Sequence, residues 1–174
     1  MKVDEVFHGK RVCLIGNAPS ALKKKHPIDE YDVVCRCNTC IPRGESTFIG
    51  TRTDVIFTSI SLPQATLDAF GPLYTLWCTP KHDNITEEFK QRIDDKLPLR
   101  YWMDLERELG FRPSTGCMAL YWLVRDVAFK TLDIYGFDFW ETGKPEYDTP
   151  HDAQAEKKYI EWLEQTNDCL TIVR

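Results

Sequence analysis

Short apolar runs separated by turn-forming residues recur along the chain of 174 residues. The first extends from Arg11 to Ile15 and stops at the turn sequence 16–20, as a short buried strand does. The same pattern predicts strands over 32–38, 54–59, 73–78 and 131–135. Because crossover segments separate these runs, we expect a mostly parallel sheet flanked by helices, which is an α/β fold.

Helical periodicity and capping residues mark several of the intervening segments. Ser20 is placed to cap a short helical turn, and Asn84 and Glu87 are spaced as a capping pair for a helix over 84–94. Ser114 or Thr115 begins a longer helix. The residues that this helix would pack on the sheet recur at helical spacing: Cys117, Leu120, Tyr121 and Val124.

A last helix is predicted over 152–165, with Ala155, Tyr159 and Trp162 on its buried face. No internal repeat, low-complexity tract or linker interrupts the sequence. We therefore expect one domain that spans 1–174.

Composition and charge exclude several classes of protein. The chain is 43% hydrophobic and carries 22 Lys and Arg against 27 Asp and Glu, for a net charge of −5. Its basic residues are scattered apart from Lys23–Lys25, so we expect no nucleic-acid partner. No apolar stretch approaches the roughly 20 residues that cross a bilayer. The sequence thus predicts a cytoplasmic protein with no membrane span and leaves the oligomeric state open.

Cysteine usage agrees with a reducing compartment. Seven cysteines are an odd number, and Cys13, Cys35, Cys37 and Cys78 lie inside apolar strand-like runs, where free thiols act as small buried hydrophobes. Zinc binding by Cys35, Cys37 and Cys40 is a minor alternative, because no C-x-x-C pair stands elsewhere in the chain.

The turn sequence after the first strand is the first candidate site. Gly16, Asn17, Ala18, Pro19 and Ser20 follow the carboxyl end of the strand, where open α/β sheets bind ligands. A G-x-G-x-x-G fingerprint is absent, and the amide of Asn17 stands where a second glycine would admit a pyrophosphate. A ligand would therefore be bound through Asn17. The alternative is a turn whose local geometry Asn17 and Pro19 satisfy.

Polar residues at the end of the second strand form the next candidate. A period of two places Arg36 and Asn38 on one face, opposite Cys35 and Cys37. Buried polar groups need partners, because leaving one unpaired costs about 1–3 kcal/mol. Arg36 and Asn38 therefore either brace neighbouring loops or bind a ligand.

Two further groups lie in the second half of the chain. Ser114, Thr115 and Gly116 begin a helix whose unpaired amides suit a phosphate or carboxylate, although Ser114 as a simple cap is the alternative. His151 precedes Glu156 by five residues, about 140° apart on a helix, so the two side chains need not touch. An exposed capping histidine is the alternative there.

In this order the four groups resemble the sialylmotifs of the sialyltransferases of glycosyltransferase family 29, with similarity also to the bacterial family 42 enzymes. Gly16 and Asn17, with 32–38 and 50–54, resemble the long motif. Residues 113–116, with 134–138, resemble the small motif. His151 and Glu156 match the H-x4-E pattern of the very small motif.

This resemblance implies a modified Rossmann-type fold, a variant of the GT-A type, and an enzyme with a CMP-sialic acid donor and a glycan acceptor. Transfer would invert the anomeric centre without a metal or other cofactor. His151 would be the general base, and Glu156 would organise the helix start and His151. Residues assigned to the nucleotide sugar are Gly16, Asn17, Ala18, Pro19, Ser20, Arg36, Asn38, Ser114, Thr115, Gly116, Asp138 and Tyr147.

The chain departs from the animal enzymes in being shorter and in lacking their membrane anchor, which favours a small bacterial or viral origin. The two cysteines that form a disulfide in those enzymes correspond here to Cys37 or Cys40 and to Cys117. In a cytoplasmic protein these cysteines would be reduced. Two alternatives stay open: a protein that binds CMP or a nucleotide sugar without efficient transfer, and a transferase for a related CMP-activated keto-sugar such as Kdo. An oxidoreductase is disfavoured by the missing glycine fingerprint.

Overall fold

Seven parallel strands form one sheet in the computed structural model, which describes residues 3–39, 46–81, 85–141 and 149–174. Their spatial order is β5-β4-β3-β2-β1-β6-β7, so the first strand lies near the centre. The strands are β1 (Arg11–Ile15), β2 (Val33–Cys37), β3 (Val55–Thr58), β4 (Tyr74–Trp77), β5 (Asp95–Lys96), β6 (Thr131–Tyr135) and β7 (Leu170–Val173). The five predicted strands and the α/β class are confirmed, and β5 and β7 are additional.

The α-helices of the described residues are α1 (Ser46–Ile49), α2 (Gln64–Phe70), α3 (Glu87–Lys90), α4 (Leu99–Leu109), α5 (Thr115–Asp126) and α6 (Ala153–Thr166). Short 3-10 helices cover Val3–Val6, Pro19–Leu22 and Ile28–Glu30. Ser114 caps α5 by accepting a hydrogen bond from the backbone of Cys117, and Asp152 caps α6. The predicted starts of these two helices are confirmed.

Two of the smaller helix predictions are wrong. Ser20 lies inside the 3-10 helix Pro19–Leu22 and does not cap it. The helix predicted over 84–94 is confined to α3, with Thr86 as its cap, and Asn84 lies outside the described residues. The helix ends early because Asp94 exchanges hydrogen bonds with the backbone of Thr75 and starts the pairing of β5 with β4.

Helix α5 lies on one face of the sheet and is covered by α4 and α6. Its buried residues extend almost around the helix, from Thr115 to Leu123, because one side contacts the sheet and the others contact its neighbours. In α6 the predicted burial of Trp162 is wrong, since this side chain is 52% exposed. The residues that α6 buries are Glu156, Tyr159, Ile160 and Leu163.

The opposite face of the sheet is covered by the 3-10 helices Pro19–Leu22 and Ile28–Glu30 with α1, and by α2 and α3 over β3 and β4. Cys13, Ile15 and Val34 of the central strands pack there against Ile28 and Ile49. All six cysteines within the described residues are free, and only Cys169 of these is exposed, while Cys40 lies outside that part of the chain. Within the same residues, no helix has the length and apolar character that crossing a bilayer requires.

Candidate functional site

A cavity of about 370 Å³ opens at the carboxyl edge of the sheet, above β1, β2 and β6. Four segments surround it: the loop after β1, the end of β2, the start of α5, and the region from the end of β6 to the start of α6. Its lining includes eleven of the residues predicted from sequence: Gly16, Asn17, Ala18, Pro19, Asn38, Ser114, Thr115, Gly116, Asp138, His151 and Glu156. The structure thus brings the separate motifs into one place.

The loop after β1 is held against the end of β6. Gly16 donates its backbone N–H to Tyr135 at 2.8 Å, and Ala18 donates to Gly136 at 3.2 Å. Asn17 lies between them, is exposed, and forms no side-chain hydrogen bond within the described residues. Its amide is therefore available to a ligand at the wall of the cavity.

The ring of Phe137 fills the space between two glycines of the cavity. A Cβ at Gly116 would lie 2.8 Å from Cε1 of Phe137, and one at Gly16 would lie 3.1 Å from Cε2 and 2.5 Å from the Gly136 carbonyl oxygen. Contacts of a Cβ under 3.0 Å essentially do not occur in proteins. Gly16 is therefore required by its close approach to the Gly136 carbonyl, and Gly116 by its close approach to the Phe137 ring.

Asn38 connects three segments through a single oxygen. Its Oδ1 accepts from the backbone N–H of Ser59 at 3.0 Å and from the hydroxyls of Thr58 and Thr115 at 3.3 and 3.4 Å. A backbone N–H needs an acceptor, so this contact fixes which side of the amide is oxygen. The Nδ2 hydrogens donate to no described residue and remain for a ligand of the cavity.

Arg36 does not line the cavity with Asn38, and its assignment to the nucleotide sugar stays a prediction. Asn38 adopts a positive φ of 53°, which breaks the strand alternation that predicted a common face. Arg36 is fully buried away from the cavity and donates to Thr53 Oγ1 and to the carbonyl oxygens of Ile49 and Arg52, each at 2.9 Å. It braces the loop that precedes β3.

Ser20 also lies away from the cavity lining, because the 3-10 turn from Pro19 to Leu22 carries it away from the loop that meets the ligand space. Its assignment to the nucleotide sugar also stays a prediction. Tyr147 lies outside the described residues.

Glu156 and Ser114 join the two helices that border the cavity. Oε1 of Glu156 accepts the backbone N–H of Ser114 at 2.6 Å, and Oε2 accepts its hydroxyl at 2.7 Å. Burial raises the pKa of Glu156, and the two hydrogen bonds from Ser114 act in the opposite direction. The first helical turn of α6 is thereby fastened to the cap of α5.

Of the first backbone N–H groups at the start of α5, two donate to protein groups and two have no acceptor among the described residues. Ser114 N–H is taken by Glu156, and Cys117 N–H is taken by the Ser114 hydroxyl. The N–H groups of Thr115 and Gly116 have no acceptor among the described residues, and both residues line the cavity. Two free amides at a helix start, with the positive end of its dipole, suit an anionic group such as a phosphate.

His151 is half-buried in the lining of the cavity, just before α6. Its Nδ1 lies 2.8 Å from the carbonyl oxygen of Arg112. A carbonyl only accepts, so Nδ1 carries the proton and Nε2 holds the free lone pair of the neutral ring. Burial lowers the pKa of His151, which keeps the ring neutral at pH 7. This nitrogen is able to accept a proton from a bound molecule.

Solved structures of sialyltransferases match this chain in fold. A mammalian sialyltransferase in complex with Gal-beta-1-3GalNAc-ortho-nitrophenol matches with a TM-score of 0.69 and 16% identity, over 98% of this chain and 71% of that one. The fold is that of the sialyltransferases. CstII from Campylobacter jejuni in complex with CMP-3FNeuAc matches with a TM-score of 0.63 and 17% identity, over 94% and 81% of the two chains.

A third sialyltransferase-fold structure, the alpha-2,3-sialyltransferase from Campylobacter jejuni in its apo form, has a TM-score of 0.63 and 16% identity, over 99% of this chain and 79% of that chain. No protein-family model and no curated protein matches the sequence. The resemblance that the motifs predicted is thus confirmed at the level of the fold.

Within this sialyltransferase fold, several lining residues were not predicted from sequence: Cys37, Gly136, Phe137, Phe139, Trp140, Thr149 and Ala153. A signal was available for 136–140, because these residues follow the carboxyl end of the predicted strand 131–135. Across the described ranges, no three His, Cys, Asp or Glu side chains are grouped as metal ligands would be.

Proposed function

We propose that the protein is a glycosyltransferase that transfers sialic acid from CMP-sialic acid to a glycan hydroxyl, with inversion and without a metal. The observation that carries the proposal is the placement of His151. Its free Nε2 belongs to the same cavity as the two unpaired amides of α5. A proton acceptor and an anion-binding group thus border one space, as transfer from a phosphate-activated sugar requires.

The nucleotide phosphate is assigned to the start of α5. The N–H groups of Thr115 and Gly116 donate to its oxygens, and the helix dipole favours its charge. Asn17 and Asn38 donate amide hydrogens to the rest of the nucleotide from the neighbouring strand ends. A solved structure of the same fold supports this choice of ligand, because CstII binds CMP-3FNeuAc, a substrate analogue.

Transfer then follows from the position of His151. Nε2 accepts the proton of the acceptor hydroxyl while the hydroxyl oxygen attacks the anomeric carbon. The bond between that carbon and the phosphate oxygen breaks, and CMP leaves with the electron pair. The α5 amides stabilise the charge on the leaving phosphate. Attack from the side opposite the leaving group inverts the anomeric centre.

We propose metal independence because of the hydrogen-bond donors that are assigned to the leaving phosphate. Backbone and side-chain N–H groups stabilise a leaving phosphate without a divalent cation. We therefore expect EDTA to leave the activity unchanged. Activity that EDTA abolishes and Mn²⁺ restores would contradict this part of the proposal.

The direct test is incubation with CMP-sialic acid and a galactoside acceptor in EDTA. The expected result is CMP release together with a sialylated product whose anomeric configuration, read by NMR, is inverted. CMP binding without product would favour a nucleotide-binding protein, and product only from CMP-Kdo would favour the related keto-sugar. Absence of CMP binding would overturn the proposal.

A further inference from the structure

The cavity assigned to the nucleotide holds little positive charge of its own. Its described lining contains no Lys or Arg, and the carboxylates that it does contain are those of Asp138 and Glu156. The chain as a whole carries a net charge of −5. The amides at the start of α5 attract an anion only at short range, because the effect of a helix dipole falls off within the first turn. At longer range, an approaching anion is attracted by cations outside the lining.

Many of the described basic side chains are already engaged by protein groups. Arg36 is buried and donates to backbone carbonyls. Others form ion pairs with carboxylates, namely Arg11, Arg52, Lys90, Arg107, Lys157 and Arg174. Lys23 and Lys25 differ, because both are exposed and neither side chain has a partner among the described residues. Their charges are therefore free to act on a molecule in solution.

The run Lys23–Lys25 directly follows the loop that borders the cavity. Lys23 ends the 3-10 helix Pro19–Leu22 by donating its backbone N–H to Ser20 at 3.3 Å. Pro19, at the other end of this helix, lines the cavity. A 3-10 helix rises about 2.0 Å per residue, so Lys23 lies roughly 8 Å along the helix axis from Pro19.

A contact of Lys24 places the run at the same edge of the sheet as the cavity. Its Nζ lies 3.4 Å from the carbonyl oxygen of Arg174, which directly follows β7. All strands are parallel and only β6 separates β7 from β1, so the ends of β1 and β7 lie roughly 10 Å apart at the carboxyl edge. This separation is close to the Debye length of about 8–10 Å at 0.1–0.15 M salt. The field of the lysines therefore reaches the cavity wall.

We propose that Lys23, Lys24 and Lys25 attract the anionic donor to the cavity and raise its rate of association, without contacting it once it is bound. CMP-sialic acid carries a phosphodiester and a carboxylate, so it has a negative charge at each of two groups and responds to this field. The inference rests on the proposed function and deepens it, because it assigns the collection of the charged donor to residues outside the cavity.

The experiment measures the association and dissociation rates of CMP by stopped flow. The signal is tryptophan fluorescence, to which Trp140 in the cavity lining contributes. The test variant is Lys23→Gln/Lys25→Gln, which keeps the contact of Lys24 with Arg174. Cytidine, which lacks the phosphate, is the uncharged probe, and its affinity is measured by NMR titration.

Lys10→Gln/Lys130→Gln is the matched control. Both lysines are exposed, and their replacement removes the same charge from the chain. They precede β1 and β6, so they lie at the amino edge of the sheet, away from the cavity. The control therefore separates the local field of the lysine run from the effect of net charge.

At low salt we expect the association rate constant of CMP to fall about three- to tenfold in Lys23→Gln/Lys25→Gln, with the dissociation rate constant changed less than about twofold. Lys23→Glu/Lys25→Glu should enlarge the decrease. The control should lose less than about twofold in association rate. In about 0.5 M salt the wild type and the variants should associate at the same rate, because the charges are screened. Cytidine affinity should be unchanged in every variant.

Equal association rates of CMP in the wild type and in both lysine-run variants at low salt would overturn the inference, while the donor site would stand. A faster dissociation with an unchanged association rate would also overturn it, because the lysines would then contact the bound nucleotide. Weaker cytidine binding in Lys23→Gln/Lys25→Gln would assign the effect to a changed loop instead of to charge. If the wild type binds no CMP, the proposed function fails and this inference fails with it.

Discussion

Both carboxylate oxygens of Glu156 are engaged by one residue, Ser114, which lies 42 positions earlier in the chain. Ser114 caps the helix that presents the free amides, and Glu156 belongs to the helix that follows His151. The proposed phosphate site and the proposed base are thus held at a fixed separation by two hydrogen bonds. Glu156 acts as a positioning residue.

Glu156→Ala tests this connection. The variant leaves the buried N–H and hydroxyl of Ser114 without acceptors, so we expect a loss of about 1–3 kcal/mol in the free energy of unfolding. CMP affinity and turnover should fall together. Glu156→Gln keeps one acceptor oxygen, so its losses in stability, CMP affinity and turnover should be smaller. Urea denaturation and calorimetry measure both effects, with Glu161→Ala on the same helix as control. Wild-type stability and affinity in Glu156→Ala would contradict the role.

His151→Ala should remove the base while leaving the nucleotide site intact. A positioned general base contributes about 10²–10⁴ in rate, so we expect a decrease of that order in kcat. CMP affinity should stay close to that of the wild type, because the donors to the nucleotide lie on other segments. His8→Ala is the matched control, since His8 is exposed and far in sequence from the site. A variant that keeps wild-type turnover would exclude His151 as the base.

The pH profile follows from the direction of the His151 pKa. Burial lowers it from the ordinary value of 6.5, and only the neutral ring accepts a proton. Activity should therefore persist at pH 6.5 and decline only as the pH drops through the lower pKa of the buried ring. The residual activity of His151→Ala should lack this acidic limb. Rates of CMP release between pH 4.5 and 8 are the measurement, and an unchanged limb in the variant would assign it to another group.

Asn17 and Asn38 should contribute to CMP binding in different ways. Asn17→Ala removes an exposed amide and should weaken CMP binding by about 0.5–1.5 kcal/mol without changing stability. Asn38→Ala should also destabilise the fold, because the backbone N–H of Ser59 loses its acceptor. Asn38→Asp retains that acceptor and removes the Nδ2 donors. It should stay folded and bind CMP poorly. Unchanged affinity in all three variants would remove both asparagines from the site.

Gly16 and Gly116 should differ in their tolerance of a methyl group. Gly16→Ala places its Cβ against a backbone carbonyl that has little freedom to move. Gly116→Ala meets mainly the ring of Phe137, a side chain. We expect both to lower the melting temperature, and we expect Phe137→Leu to restore much of the loss for Gly116→Ala but not for Gly16→Ala. Thermal unfolding of the single and double variants decides this, and equal rescue would disprove the steric account.

The sequence predicted those parts of the fold that carry a strong local pattern. Strand Arg11–Ile15 is apolar after its first residue, Thr131–Tyr135 is apolar apart from Thr131 and Asp133, and the predicted bounds of both agree with the structure. Strand β5 has two exposed residues, Asp95 and Lys96, so its pairing with β4 has no apolar signal. Helix α4 did carry a signal that the prediction missed, because Tyr101, Leu105 and Leu109 recur every four residues.

At the site, the sequence pointed to cavity-lining residues wherever a motif falls at the end of a strand or at the start of a helix. The prediction that Arg36 and Asn38 share a face failed because strand alternation was extended by one residue too many, to Asn38, where the backbone turns to positive φ. The turn at Phe139 and Trp140, where both residues have positive φ, is held by Asp138, whose side chain accepts from the N–H two residues later, a local turn signal that the prediction missed.

The pairing of β1 with β6 joins Val12 to Leu132, and the loop after β1 takes its shape from hydrogen bonds to Tyr135 and Gly136. During synthesis on the ribosome, the loop after β1 is therefore made early. The end of β6, which supports this loop, follows only when most of the chain has emerged. Long-range parallel pairing of this kind forms slowly, because its loop-closure entropy is paid before the contacts form. A nascent or truncated chain that ends before β6 would expose the β1 edge and have no nucleotide pocket. A ligand that is added during translation therefore stabilises the chain only after β6 has joined the sheet.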